Sequence, residues 1–120
     1  MSFQSYEKMV STLRKPGGTI LLSLSASSID IWHAATGVST EAGELLDAAK
    51  KLVIYNKPLD RKNIIEELGD LEFYMEQMRQ AIEVSRDEIL TFNMEKLYKR
   101  YGVMYEDSAA LKRADKENDE

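Results

Sequence analysis

The sequence predicts an all-α protein built as a four-helix bundle. Apolar residues recur at three- and four-residue intervals over most of its 120 residues, the period of a half-buried helix. No segment alternates long enough to read as a strand. Turn and cap residues cluster at Lys15-Pro16-Gly17-Gly18, Asn56-Lys57-Pro58-Leu59-Asp60 and Ser85-Arg86-Asp87-Glu88, and these clusters separate four periodic stretches.

The first stretch, Ser2 to Arg14, carries Phe3, Tyr6, Met9, Val10 and Leu13 on one stripe. The second, Leu22 to Ile54, places Leu24, Ile31, Ala34, Ala35, Val38, Ala42, Leu45, Leu46, Ala49 and Val53 at helical spacing. Gly37 and Ser39-Thr40 could kink or break it. The third begins at Arg61, with Asp60 or Asn63 as N-cap, and runs to Val84. Its expected core stripe is Ile64, Leu68, Leu71, Met75, Met78 and Ile82, the methionines acting as core filler. Ser85 and Glu88 form a capping box for a fourth helix that turns Ile89, Phe92, Leu97 and Tyr101 inward and ends at Gly102. Residues 1–105 read as one domain, and 106–120 as a polar tail rich in charge.

An unbroken helix from Leu22 to Ile54 is about 50 Å long at 1.5 Å per residue. A compact chain of this size is only about 35 Å across. The overhanging apolar stripe therefore predicts pairing with a second chain, as a dimer or dimer of dimers.

A net charge of −5 provides no basic field for nucleic acid. The chain contains no cysteine, which removes disulfides, thiolate metal sites and a cysteine nucleophile. Ile20 to Ile31 is too short and too polar to span a bilayer. A cytoplasmic location without membrane association is expected.

The chemistry concentrates in a pattern that occurs twice, Glu41-Ala-Gly43-Glu44 and Glu67-Leu-Gly69-Asp70. Positions i and i+3 share a helix face, so each helix presents a pair of carboxylates. Two such helices meeting would gather four. Each close like-charge pair across them costs about 4 kcal/mol at an effective dielectric of 20, which opposes folding unless a cation neutralises the cluster. Oxygen-only ligands suit Mg²⁺, with Mn²⁺ as a substitute. The matched glycines suggest two backbones passing closely, since glycine within a helix otherwise costs about 1 kcal/mol. The plainer reading puts both acidic pairs in solvent on separate faces.

From His33 through Glu41 and Glu44 to Lys51, and from Ile65 through Glu67 and Asp70 to Tyr74, the sequence resembles the MazG-like all-α nucleoside triphosphate pyrophosphohydrolases. That family is marked by ExxE, a gap, then ExxD. Asn93-Met-Glu-Lys96 is similar to its later Asn-x-x-Lys element. The resemblance covers about residues 28–102. It implies a MazG-like bundle completed by dimerisation, and Mg²⁺-dependent hydrolysis of a (deoxy)nucleoside triphosphate to monophosphate and pyrophosphate. Glu41, Glu44, Glu67 and Asp70 would be the metal-binding and catalytic residues.

Lys51, seven residues beyond Glu44, could touch phosphate, as could Lys96 with Asn93 beside it; the plainer reading of these cations is a solvated surface. Arg100 is a further candidate of the same kind. Tyr74, one turn after Asp70, could pack against sugar or base, or be a core tyrosine. Glu66 could serve as a base but points about 100° away from Glu67. His33 favours packing or capping, and Trp32 favours a buried dimer anchor over base stacking. Asp47 could orient a metal-bound water or pair with Lys50 or Lys51. Two other readings compete: a non-catalytic helical dimer that binds a nucleotide or protein, and a phosphoribosyl-ATP pyrophosphohydrolase-like enzyme. A ferritin-like di-iron site needs two Glu-x-x-His pairs, which a single histidine cannot supply.

Overall fold

The computed structural model describes residues 5–102. They are helical, with no strand among the described residues. Five helices follow in order: α1 (Tyr6–Leu13), α2 (Gly17–Ser23), α3 (Ala26–Val53), α4 (Arg61–Ala81) and α5 (Arg86–Tyr101). Phe3 and the polar tail lie outside the described residues. No helix among them is long and apolar enough to cross a membrane.

The stretch expected as one helix from Leu22 to Ile54 is two. Leu24 and Ser25 are both extended, and α3 restarts on a capping box made of two serines. Ser25 Oγ accepts from the Ser28 N–H at 3.1 Å, and Ser28 Oγ accepts from the Ser25 N–H at 2.9 Å. A serine stands where Glu or Gln normally closes such a box. Gly37 and Ser39-Thr40 do not interrupt α3, which spans 28 residues, about 42 Å.

The remaining ends follow local chemistry. Asp60, rather than Asn63, caps α4 by accepting from the Asn63 N–H at 3.1 Å. Ser85 and Glu88 close the box that starts α5, and Gly102 ends it at φ 64°. At the end of α4 the Val84 N–H reaches the Arg79 carbonyl and the Glu83 N–H the Gln80 carbonyl, a Schellman arrangement. Glu83 occupies its left-handed position at φ 57°, where glycine is the usual residue.

Packing is concentrated between α3 and α4, the one extensively packed pair of helices among the described residues. They run antiparallel. Ala34, Gly37, Val38, Glu41, Leu45 and Ala48 meet Ile64, Glu67, Leu71, Tyr74 and Met78, all buried or half-buried. The stripe expected on α4 divides in two. Ile64, Leu71 and Met78 face α3, whereas Leu68, Met75 and Ile82 repeat every seven residues on another face and are exposed. On α3, Leu46 and Val53 are exposed by 70% and more. Most residues expected inward on α1 and α5, including Tyr6, Leu13, Phe92 and Leu97, are also exposed, whereas Tyr101 is half-buried. Their helices make no extensive contact with the α3–α4 pair. Among the described residues, one apolar seam is thus buried and several stripes are left uncovered.

Candidate metal centre

The α3–α4 register places the two acidic motifs side by side. Glu41, Glu67 and Asp70 each offer an oxygen, and the three oxygens lie within 4.8 Å of one another. Ligands at roughly 2.0–2.6 Å from a hard cation can be about 4–5 Å apart across it, so the spacing fits one shared ion. Glu41 and Glu67 are half-buried and Asp70 is exposed. Glu67 Oε2 is shielded from solvent with no hydrogen-bond partner. A buried polar atom without a partner is destabilising, and a cation would satisfy it.

Electrostatics agree with the geometry. The Glu67 carboxyl is pushed above the ordinary range, first by burial, then by the neighbouring Glu41 carboxyl, and further by the charges of Asp70 and Glu44. Glu44 therefore acts on the cluster electrostatically while standing outside the close triad.

The glycines of the two motifs do not mark close backbone passage, contrary to expectation. A Cβ built at Gly43 or Gly69 meets nothing within 4 Å. The reason is helical phase: each glycine lies on the outer side of its helix, turned away from the seam. The close passage is at Gly37, where a Cβ would overlap Cγ and Cδ1 of Tyr74. Tyr74 therefore lies against the α3 backbone, half-buried, one turn beyond Asp70. Its ring meets Phe73 and His33 edge-on, with centroids 5.2 and 6.1 Å away.

The other candidates are distributed more widely. Lys51 pairs with Asp47 at 3.5 Å on the exposed surface of α3. Asn93 and Lys96 are on α5, which makes no extensive contact with the α3–α4 pair. Asp70 lies about 16 Å before the end of α4, so α5 of the same chain starts well away from the carboxylates. Trp32 is 68% exposed. His33 Nδ1 meets Gln77 Nε2 at 3.2 Å, which ties α3 to α4.

Three residues of the seam were not legible as such in the sequence. Gly37 reads in sequence as a possible kink or break, and Gln77 and Arg79 do not stand out from ordinary polar helix residues. Arg79 is 7% exposed and pairs with Glu76 at 2.7 Å and Glu72 at 3.5 Å. Those two bonds hold the Arg79 guanidinium charged, and Glu76 lies below the ordinary carboxylate range because of its bonds to Arg79 and Gln80. Two acids at i−3 and i−7 from an arginine were the only sequence signal for this cluster.

Comparison with protein-family models, with curated proteins and with solved structures gives no match to this chain.

Proposed function

We propose that the chain is a Mg²⁺-dependent nucleoside triphosphate pyrophosphohydrolase of MazG-like type, acting as a dimer or a dimer of dimers. The observation that carries this reading is the carboxylate triad Glu41, Glu67 and Asp70, whose buried Glu67 oxygen has no partner. Glu44 completes the set of four. Bound there, Mg²⁺ would supply the positive charge that an acidic chain lacks, and would acidify a coordinated water. The residues' own part is to fix the ligand oxygens on two rigid helices. One of these carboxylates would be available to accept a proton.

Dimerisation is supported by the uncovered stripes of α1, α4 and α5. Leu68, Met75 and Ile82 on α4 repeat at a heptad interval, suited to packing against another helix. Covering such stripes on several helices calls for an interface of about 2,000 Å² or more, the class of obligate homodimers. In such an assembly Asn93 and Lys96 of one copy could approach the carboxylates of the other.

The test is substitution of Glu44 and Asp70 by alanine. Both variants should lose turnover of nucleoside triphosphates while keeping their helix content by circular dichroism. Unchanged rates would remove these acids from the site. If the wild-type chain binds Mg²⁺ and nucleotide without turnover, it is a binding module.

A further inference from the structure

The seam between α3 and α4 continues beyond the carboxylates to the polar pair His33 and Gln77. Helical phase puts that pair on the same edge as the acids. Eleven positions separate His33 from Glu44, close to three turns at about 3.6 residues each. Seven separate Asp70 from Gln77, close to two turns. Both pairs therefore flank one groove, with His33 and Gln77 about 10–12 Å along it from Glu41 and Asp70 at 1.5 Å per residue. Tyr74 forms the floor between, seated on Gly37 and edge-on to His33.

Position along the groove is matched by chemistry. The His33–Gln77 bond is exposed to solvent, unlike a polar bond sealed in a core. Where the Gln77 amide donates to Nδ1, His33 carries its proton on Nε2. That leaves an imidazole N–H, a second amide N–H and the Gln77 carbonyl to meet a ligand. A carboxamide held at one end by an imidazole presents its donor and acceptor in a fixed order, which can read the paired donor and acceptor on a nucleobase edge.

We propose that His33 and Gln77 form the base-recognition end of the groove and determine which nucleobase is accepted, with Tyr74 beneath the sugar. This rests on the reading of the carboxylates as the metal–phosphate end of a nucleotide site. A nucleotide lying along the groove then spans from Glu41 and Asp70 to His33 and Gln77.

The experiment uses the full chain with Mg²⁺. His33 is the sole histidine, so its ring C–H signals in proton NMR report on this position alone. Nucleoside monophosphates should shift those signals, with a spread of affinities among bases, and ribose 5-phosphate should not. In steady-state assays of the triphosphate panel, Gln77→Leu should raise KM for the preferred substrate about tenfold, the loss of one or two hydrogen bonds. It should flatten the ranking of bases with a smaller change in kcat. Gln77→Glu keeps the side-chain volume, and should reorder the ranking if the leucine variant folds poorly. A clamp that only joins the helices would lower thermal stability and leave the ranking intact. Equal His33 shifts from ribose 5-phosphate, no His33 response to any nucleotide, or an unchanged ranking in both variants would overturn the proposal. Nucleotide-specific His33 shifts without hydrolysis would sustain the base site and refute the hydrolase. Turnover without a His33 response would do the reverse.

Discussion

Gly37→Ala places a methyl group where the inner atoms of the Tyr74 ring lie, and its effect can be worked from the packing. The clash involves Cγ and Cδ1, close to the Tyr74 backbone, so turning the ring cannot relieve it. Overpacking of this kind costs about 1–3 kcal/mol. It is offset by the roughly 1 kcal/mol that alanine gains over glycine within a helix. Gly43→Ala and Gly69→Ala receive that gain with open space around the new methyl, so each should stabilise by about 1 kcal/mol. Gly37→Ala should thus fall about 1–3 kcal/mol below either control, a separation of several degrees in Tm. Thermal melts at one fixed protein concentration give the comparison, because association shifts Tm. Combining the substitution with Tyr74→Ala should remove most of its penalty, a direct coupling between the two positions. If Gly37→Ala melts with the two controls, Tyr74 does not lie on Gly37. The register of α3 on α4 would then be wrong, and with it the meeting of Glu41 with Glu67 and Asp70.

The remaining predictions concern the carboxylates, the buried arginine and one helix end. Mg²⁺ at a hundredfold excess over its Kd should stabilise the protein by about 2.7 kcal/mol, seen as a raised Tm. Glu67→Gln should melt higher than wild type without metal and gain less from Mg²⁺; an equal gain would place the ion elsewhere. The folded pKa of Glu67 is raised, so the folded state holds the proton more tightly. Its contribution should be greatest below the unfolded value and be lost as pH rises through the folded one. Metal-free melts above pH 4.5 should show this decline in wild type and not in Glu67→Gln. For Glu76 the folded pKa is lowered, so its contribution is present above the unfolded pKa and disappears as pH falls through the folded one. Arg79→Ala should lower Tm more than Lys51→Ala, whose exposed pair is worth about 0–1 kcal/mol; equal losses would deny Arg79 a structural role. Glu83→Gly should raise stability by about 1 kcal/mol, because it relieves a left-handed backbone at a non-glycine residue, and a loss on melting would contradict that account.

The helix signals that could be read were those written in local chemistry. Asp60, Ser85 with Glu88, and Gly102 each act within a few residues of their own helix end, so the ends of α4 and α5 were close to legible. The Ser25–Ser28 box uses an uncommon partner, and the surrounding run of Leu and Ser keeps helical spacing across the break, so α2 and α3 merged in the reading. Both acidic motifs were visible because carboxylates at i and i+3 identify a face without knowledge of the partner helix. Their meeting depended on register, and register resides in the contact of Gly37 with Tyr74. Nothing local to Gly37 distinguishes a breaker from a close-packing site. The outer glycines Gly43 and Gly69 misled for the same reason. On α4, seven-residue repeats starting at Ile64 and at Leu68 overlap in sequence, and only tertiary placement shows that one is covered and the other is not. Gln77 and Arg79 look like ordinary polar helix residues until α3 is laid beside them.

The most direct measurement of the central claim is phosphorus NMR of the products formed from a panel of ribo- and deoxyribonucleoside triphosphates with Mg²⁺. The account predicts nucleoside monophosphate and pyrophosphate, formed by wild type and not by Asp70→Ala. Diphosphate with orthophosphate, or no turnover of any triphosphate by a chain shown to bind Mg²⁺, would contradict it.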